Sequence, residues 1–319
     1  MGKAKRQKLH NKKHKQISPS KALQNPNGSS IQKSGAEKPK PKPHKQAQHS
    51  APTVPFSPSE NILLIGEGDL SFARSLIEHH KCTNVTATVL EPSLAVLEEK
   101  YPQAIENVRV IEEGGGKVMY GVDAGKMKAW TKGKKGKEKE GIMDRIVFNF
   151  PHVGGKSTDV NRQVRYNQEL LVSFFTHAIS SLRPAPKPLS TTPPSIIVTL
   201  FTNPPYTLWN IRDLARHSGL AVHTSFRFQA AAYPGYRHAR TLGVVKSKKG
   251  EGEGGWKGEE REARSYVFVR KEDGELWNAA ANAGKRKRGE EESDSESDSE
   301  NRSGEHSEAE EPDDWDEKK

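Results

Sequence analysis

Short apolar runs alternate with amphipathic stretches along the central part of the chain, between residues 56 and 277. Five runs have the length of buried strands, and several are rich in β-branched residues: 61–65, 85–90, 117–122, 145–150 and 195–201. Helical spacing of apolar residues follows some of these runs, most clearly over 161–182. This alternation predicts an α/β fold with a mostly parallel sheet.

The remaining predicted elements are shorter or less regular. Ser93 is predicted to cap a helix that ends near Tyr101. The apolar residues at 108–111 are interpreted as a short strand. A further helix is predicted at 207–217, and two alternating strands are predicted at 220–228 and 265–270.

The two ends of the chain differ from its centre in composition. Residues 1–55 form a Lys-rich arm with few large apolar side chains, and residues 278–319 change from basic to Ser/Asp/Glu repeats. Such segments bury too little apolar surface to offset the entropy lost on ordering, so both are predicted to be disordered. The folded domain is therefore assigned to 56–277, with loop insertions at about 125–141 and 246–260.

Charge and cysteine usage indicate the cellular setting. The chain has a formal net charge of +10, and its single cysteine, Cys82, excludes an internal disulfide. No apolar run approaches the roughly 18 residues that a membrane helix needs. The basic N-terminus lacks the apolar core of a secretory signal. We therefore expect a soluble intracellular protein in a reducing compartment; no metal site is predicted.

The pattern at residues 61–73 carries the most chemical information. A run of Ile and Leu ends in Gly66-Glu67-Gly68, after which Asp69 and Ser71 open an amphipathic stretch. Strand, glycine turn and helix form the opening unit of a doubly wound nucleotide-binding fold. The glycines let backbone amides approach a ligand that a Cβ would keep away. A nucleotide-like cofactor is therefore expected at the carboxyl end of this strand.

Two further carboxylates follow predicted strands. Glu91 lies a little over twenty residues beyond the glycines, where a carboxylate accepts hydrogen bonds from a ribose diol. Asp123 ends a later strand and is placed to meet an adenine amino group. Together they suit an adenosine moiety. The alternative is that Glu91 is a solvated strand end and that Asp123 caps the next turn.

The cofactor could be a dinucleotide or S-adenosylmethionine. The turn has two glycines where a dinucleotide site needs three, and its two carboxylates would repel phosphates. The same carboxylates favour a sulfonium and an α-amino group, so S-adenosylmethionine is predicted and an NAD-dependent oxidoreductase is the less favoured alternative. Asp69 and Ser71 could instead only cap the first helix. The predicted cofactor-binding residues are Gly66, Glu67, Gly68, Asp69, Ser71, Phe72, Glu91 and Asp123.

A second motif follows the strand at 145–150. It is similar to the Asn/Asp-Pro-Pro-aromatic segment of enzymes that methylate ring or exocyclic nitrogens. A polar acceptor beside the methyl group and a proline-stiffened turn would hold the target base. The histidine could accept a proton, or it could only close the turn. The predicted catalytic residues are Asn149, Phe150, Pro151 and His152.

Four segments in this order resemble one known family. They are GEGDLSFA at 66–73, DRIVFNFPHVG at 144–154, NQELL at 167–171 and YPGYRHARTLG at 233–243. Together they look like the eukaryotic large-subunit rRNA uridine-N3 methyltransferases, whose fungal members are nucleolar. The resemblance covers about 61–270, which is nearly all of the predicted domain.

The resemblance implies a Rossmann-like class I methyltransferase fold with a seven-stranded sheet, helices on both faces and S-adenosylmethionine as donor. It implies methylation of N3 of a uridine in 25S-type rRNA during ribosome biogenesis, in the nucleus and nucleolus. Glu91 stands where relatives commonly have Asp. The expected partners are large-subunit rRNA or a preribosomal particle and the nuclear import machinery, and the chain is expected to be a monomer. The alternative is a catalytically inactive RNA-binding assembly factor on the same fold.

An aromatic and basic cluster lies near the end of the predicted domain. Such side chains can stack a splayed base and hold nearby phosphates, although Tyr233-Pro234-Gly235-Tyr236 could be a structural turn. The predicted RNA-binding residues are Tyr233, Tyr236, Arg237, His238 and Arg240. The Lys-rich arm is expected to bind RNA phosphates without reading sequence, and it could act as a nuclear or nucleolar address.

Overall fold

The computed structural model describes residues 51–133, 139–155, 157–186, 192–241, 243 and 258–279. The two predicted tails lie almost entirely outside these residues. Parts of both predicted insertions, 134–138 and 246–257, also lie outside them.

A seven-stranded sheet forms the centre of the domain, in the order β3-β2-β1-β6-β7-β9-β8. Strand β9 runs antiparallel to β7 and β8, whereas the other neighbouring strands are parallel. Two further short strands, β4 and β5, pair with each other. The strands are β1 (Asn61–Ile65), β2 (Asn84–Thr88), β3 (Lys117–Met119), β4 (Thr131–Lys132), β5 (Glu140–Gly141), β6 (Arg145–Asn149), β7 (Ser195–Phe201), β8 (Leu220–Phe228) and β9 (Ala263–Arg270).

Helices connect most of these strands. They are α1 (Ser71–Glu78), α2 (Leu94–Lys100), α3 (Ala104–Glu113), α4 (Val160–Ala178) and α5 (Ile211–His217), and residues 271–279 are also helical. Single 3-10 turns occur at Ile179–Ser181, Tyr206–Trp209, Ala230–Ala232 and Gly258–Glu260. As predicted, the side chain of Ser93 caps α2, because its Oγ accepts a hydrogen bond from Val96 N at 3.4 Å.

Both faces of the sheet are covered by helices. Alternate residues of β1 point to opposite faces: Ile62 and Leu64 pack with α1 and α3, whereas Leu63 and Ile65 pack with α4 and α5. A strand that is buried on both faces must be apolar at every position, which explains the unbroken Ile/Leu run of β1. The predicted fold class, a mostly parallel seven-stranded Rossmann-like sheet with helices on both faces, is confirmed.

The prediction of a strand at 108–111 is wrong, because these residues lie within α3. Val108 and Ile111 are buried three positions apart on one helical face, with the exposed Arg109 between them. A short apolar run cannot by itself distinguish a strand from a buried helical face. The packing of α3 against the rest of the core decided this element.

Several boundaries also differ from the predictions. The strand predicted at 117–122 ends at Met119, and the long helix changes to a 3-10 turn after Ala178. The helix predicted at 207–217 is divided into a 3-10 turn and α5, because Asn210 between them has a left-handed φ of 52°. The loop predicted at 125–141 contains the β4–β5 pair.

Replacement of Phe174 by Ala is expected to lower the free energy of unfolding by about 3–5 kcal/mol, since a large cavity would remain in the core. Phe174 is fully buried, and its ring centroid lies 5.0 Å from that of Phe148. Urea denaturation measures this change. Val160→Ala is the matched control on the same helix, because Val160 is 59% exposed. A similar small loss in both variants would contradict the assigned core.

Candidate active site

The glycine turn after β1 requires its first glycine. Gly66 has a left-handed φ of 63°, and a Cβ at this position would lie 2.8 Å from the ring of Phe148. The turn is joined to the end of β2, because Glu67 N donates a hydrogen bond to Thr88 O at 2.9 Å. The backbone therefore passes closely between two strand ends, which only glycine permits here.

The second glycine of the turn meets a different part of the chain. A Cβ on Gly68 would lie 2.6 Å from the Cβ of Ala239. Ala239 belongs to residues 236–241, which we call the covering segment. From the sequence, Gly68 is expected to let backbone amides approach a ligand. In the structure, it instead leaves space for Ala239 of the covering segment.

Two further contacts fix the covering segment over the strand ends. Ser71 Oγ accepts a hydrogen bond from Arg237 N at 3.0 Å and lies 3.1 Å from Arg237 O. Tyr101 OH donates to Arg240 O at 2.5 Å. The covering segment is thus attached both to the start of α1 and to the end of α2.

A cavity of about 290 Å³ lies between the covering segment and the carboxyl ends of the parallel strands. This is the position at which open α/β sheets bind their ligands. The cavity brings together most of the residues predicted from the sequence: Gly66, Glu67, Gly68, Asp69, Glu91, Asp123, Asn149, Phe150, His152, Tyr236, Arg237 and His238.

Five predicted site residues do not line this cavity. Ser71 instead holds the covering segment, and Pro151 is buried beside the cavity. Phe72 and Tyr233 are core residues, only 2% and 3% exposed, with ring centroids 4.6 Å apart. Arg240 lines a second, neighbouring cavity. The buried position of Tyr233 fits the alternative in which residues 233–236 are structural and do not bind RNA.

Asp69 both lines the cavity and supports the turn. Its Oδ1 accepts hydrogen bonds from Ser71 N at 3.0 Å and from Ser71 Oγ at 2.7 Å. Its Oδ2 accepts one from Gln103 Nε2 at 3.1 Å. The side chain therefore satisfies an amide at the start of α1, which is the helix-capping role considered as an alternative.

Glu67 has an unusual protonation equilibrium. Burial raises the pKa of its carboxyl group from 4.5 to about 8, and the negative charge of Asp69 adds to this rise. A weak hydrogen bond from Ala73 N, at 3.4 Å, opposes it. Glu67 is therefore mainly neutral at pH 7, so the glycine turn carries less negative charge than the sequence suggested.

Glu91 and Asp123 also line the cavity, each with a partner from the chain. Glu91 is only 8% exposed, so it is not a solvated strand end, and its Oε1 lies 2.5 Å from Lys100 Nζ. Asp123 Oδ1 accepts a hydrogen bond from Gly125 N at 2.9 Å and closes a turn. Lys100 and Tyr101 line the cavity as well, although no sequence motif pointed to them.

Asn149 has the clearest signature of a ligand-binding group. Its Nδ2 atom is buried and has no hydrogen-bond partner among the residues that the structure describes. A buried donor without an acceptor costs about 1–3 kcal/mol, and here it lines the cavity, where a bound group can supply the acceptor. The next residue, Phe150, has a left-handed φ of 51°, which is unusual for a bulky side chain.

His152 closes the turn after β6. Its Nδ1 accepts a hydrogen bond from Gly154 N at 2.9 Å, and burial lowers its pKa. The ring is therefore neutral at pH 7 with its proton on Nε2. Since Nδ1 is used and Nε2 carries hydrogen, this geometry favours the turn-closing alternative over the predicted proton acceptor.

The fold and this cavity define the class of protein. A Rossmann-like sheet carries an acidic cavity at its carboxyl ends, and the buried Ser71 occupies the place of the third glycine that a dinucleotide site would need. The acidic residues of the cavity fit the sulfonium and ammonium groups of S-adenosylmethionine better than a pyrophosphate. This arrangement is that of a class I S-adenosylmethionine-dependent methyltransferase.

Comparison with protein families identifies the particular group. The model of the BMT5-like family, described as "rRNA (uridine-N3-)-methyltransferase BTM5-like", matches residues 63–240. The chain belongs to this family. The family resemblance, the enzyme class and the methyl donor expected from the sequence are thereby confirmed.

Two individual relatives are similar to this chain over more than half of its length. A protein of Saccharomyces cerevisiae named "25S rRNA (uridine(2634)-N(3))-methyltransferase" is 30% identical over 263 residues, which cover 70% of this chain and 76% of that protein. "Heavy metal-associated isoprenylated plant protein 41" of Arabidopsis thaliana is 30% identical over 188 residues, which cover 58% of this chain and 34% of that protein.

Similarity to solved structures is more distant. The structure of M. jannaschii TYW2 in complex with AdoMet has a TM-score of 0.35 and 11% sequence identity, and the match covers 67% of this chain and 70% of that chain. The fold assignment therefore stands on the strand order itself. Among the described residues, no helix has the length and apolar character needed to cross a membrane.

Gly68→Ala is expected to weaken binding of S-adenosylhomocysteine at least tenfold, or by about 1.4 kcal/mol. The added methyl group would collide with Ala239 and displace the covering segment from the cavity. Isothermal titration calorimetry measures the affinity. Gly155→Ala is the matched control, because a Cβ there meets nothing within 4 Å. Equal affinities in the two variants would show that the Gly68–Ala239 contact does not shape the donor site.

The raised pKa of Glu67 predicts a pH-dependent stability. The folded chain keeps this proton up to about pH 8, whereas the unfolded chain releases it near 4.5, so the free energy of unfolding should fall as the pH rises between these values. The contribution of Glu67 is about 1.4 kcal/mol per pH unit at most. In Glu67→Gln this contribution disappears, and urea denaturation at pH 5, 6, 7 and 8 measures the difference in slope. Glu98→Gln, at an exposed position, serves as the control. If the unfolding free energy of Glu67→Gln changed with pH as steeply as that of the wild type, the raised pKa of Glu67 would be refuted.

Proposed function

We propose that this chain transfers a methyl group from S-adenosylmethionine to N3 of a uridine in large-subunit rRNA. The observation that carries the proposal is the buried, unpartnered Nδ2 of Asn149 in the acidic cavity at the carboxyl end of the sheet. Membership of the family and the activity named for the yeast relative support the same substrate class.

The residues around the cavity suit the parts of the donor. Glu91 would accept hydrogen bonds from the ribose diol, and Asp123 would meet the adenine amino group. The backbone of the glycine turn, with Asp69 beside it, would hold the amino-acid end. When bound, S-adenosylmethionine supplies an electrophilic methyl group on a cationic sulfur. Because burial keeps Glu67 mainly neutral at pH 7, Asp69 is the principal acidic group of the glycine turn.

The amide of Asn149 suits the reactive edge of uracil. An amide presents an acceptor oxygen and a donor nitrogen side by side. N3 of uracil is flanked by two carbonyl oxygens, so Asn149 Nδ2 can donate to one of them and leave N3 itself open to the methyl group and to water. Such a pairing would satisfy the unpartnered nitrogen and fix the ring for an in-line transfer. The N3 proton would leave to water, since His152 carries its hydrogen on Nε2 in the observed turn.

The cellular location and the partners of the reaction are part of the same proposal. We propose that the rRNA, alone or in a preribosomal particle, is met in the nucleolus. The basic arm at 1–55 would contact phosphates and provide a nuclear address read by the import machinery. The chain would act as a monomer. The inactive assembly factor considered from the sequence is favoured by none of the described contacts.

Asn149→Ala is expected to reduce the transfer rate at least about 100-fold, the size of effect seen when one preorganised donor is removed. Donor affinity should stay within about twofold, because the contacts to adenosine remain. Transfer is measured with labelled S-adenosylmethionine on unmodified 25S rRNA made by transcription, with N3-methyluridine detected by mass spectrometry. Calorimetry gives the donor affinity.

Asn84→Ala, at the exposed start of β2, is the matched control and should transfer at the wild-type rate. Wild-type turnover in Asn149→Ala would remove this residue from the mechanism. If the wild-type chain binds the donor but makes no N3-methyluridine in either naked rRNA or preribosomal particles, the assembly-factor alternative replaces the enzyme.

A further inference from the structure

A second cavity of about 280 Å³ adjoins the donor cavity. The two cavities share one wall, formed by Phe150, His152, His238, Ala239 and Thr241. The second cavity extends from this wall past Tyr206 and Arg261. A nucleobase bound in the second cavity would contact this wall from one side, and a donor bound in the first cavity would contact it from the other.

The second cavity has an aromatic floor. The ring centroids of Phe150 and Phe201 lie 4.6 Å apart, and those of Phe201 and Tyr206 lie 5.1 Å apart. Aromatic side chains are the usual supports for a nucleobase taken out of its stack. None of the sequence motifs assigned a role to Phe201, which ends β7.

Arg261 lies on this floor. Its guanidinium carbon is 3.9 Å from the centroid of Phe201, and its Nη2 donates a hydrogen bond to Asn203 Oδ1 at 3.0 Å. These two contacts hold the guanidinium group over the ring. The outer face of a guanidinium plane can itself stack on a base. Phe201 and Arg261 thus provide two layers on which a base could form the third.

The shared wall also offers a hydrogen-bond donor. The hydroxyl of Tyr236 lies 3.1 Å from His238 Nδ1. The pKa of Tyr236 is raised well above 10 by burial and by nearby acidic groups, so the hydroxyl keeps its proton and can donate it to Nδ1. Burial and neighbouring arginines lower the pKa of His238 to about 4, so the ring is neutral. When Tyr236 donates to Nδ1, the ring's own proton is on Nε2.

A donor on His238 distinguishes the two pyrimidines. Uracil has carbonyl oxygens on both sides of N3, whereas cytosine has an amino group on one side. A neutral histidine that donates from Nε2 matches a uracil carbonyl and is mismatched with the cytosine amino group. Because His238 lines both cavities, this donor lies where the reacting edge of the base would be.

We propose that the target uracil, flipped out of the RNA, occupies this second cavity, stacks on the guanidinium of Arg261 and points its N3 edge at the wall of Phe150 and His238. The proposal rests on the proposed uridine-N3 methylation. It adds a binding site for the base and two positioning residues, Arg261 and Phe201, that the sequence motifs did not indicate.

The decisive test compares Arg261→Met and Arg261→Lys. Arg261 lines the second cavity and not the first, so both variants should bind S-adenosylhomocysteine within about twofold of wild type by calorimetry. For methylation of unmodified 25S rRNA we expect kcat/KM to fall at least about tenfold in both, since stacking of a base is worth about 1–3 kcal/mol. Lys keeps the charge but has no planar face, so it should not rescue the activity.

Arg216→Met is the matched control: Arg216 is an exposed arginine of α5 paired with Asp213, and its loss should leave kcat/KM unchanged. Full activity of Arg261→Met would overturn the proposal. So would rescue by Arg261→Lys, which would make Arg261 a phosphate contact instead of a stacking surface. Thermal unfolding confirms that each variant is folded before its activity is compared.

A second measurement does not depend on turnover. Transcribed 25S rRNA containing 4-thiouridine is irradiated with the Asn149→Ala chain and S-adenosylhomocysteine, and cross-linked peptides are identified by mass spectrometry. Cross-links to peptides containing Phe201, Tyr206 or Arg261 would support the pocket, and their absence while other parts of the chain cross-link would overturn it. If wild-type protein makes no N3-methyluridine, the proposed function fails, and the cross-links alone decide whether the pocket holds a base.

Discussion

The close contact between Gly68 and Ala239 is the constraint on which the site depends. Here the turn after β1 and the covering segment lie so close together that a residue with a Cβ at position 68 would collide with Ala239. The attachments of Ser71 to Arg237 and of Tyr101 to Arg240 then hold the covering segment above the strand ends. Without this contact the carboxyl edge of the sheet would be an open surface. With it, the edge becomes one side of a partly open donor cavity.

The same segment joins the two halves of the proposed reaction. Its backbone roofs the donor cavity, and His238 within it also faces the second cavity, where the base is proposed to bind. Burial, together with the charges of nearby acidic groups, raises the pKa of Tyr236 well above 10, so its protonated hydroxyl can donate to Nδ1 of His238. The donor cavity and the proposed base site would therefore be linked through the covering segment.

Strain and unmet hydrogen bonding both occur beside the covering segment. Asn149 holds a buried amide nitrogen that has no acceptor among the described residues, and Phe150 is held in a left-handed conformation. Both features cost free energy in the free protein, and the packed sheet around β6 supplies the stability that tolerates them. A bound base that satisfies Asn149 would recover part of this cost. Binding would then be strongest for a ring edge that offers a carbonyl oxygen to Nδ2 of Asn149.

Sequence alone determined the sheet class and most of the donor cavity. Buried parallel strands must be continuously apolar, and in parallel sheets polar residues at strand ends converge on one edge, so Glu91, Asp123 and Asn149 could be placed together from their positions. Tertiary structure alone decided that 108–111 is helical, that Phe72 is core, and that Arg261 lies against Phe201. The physical reason is range. Strand periodicity is local, whereas burial, protonation and contacts between segments arise only when distant parts of the chain pack together.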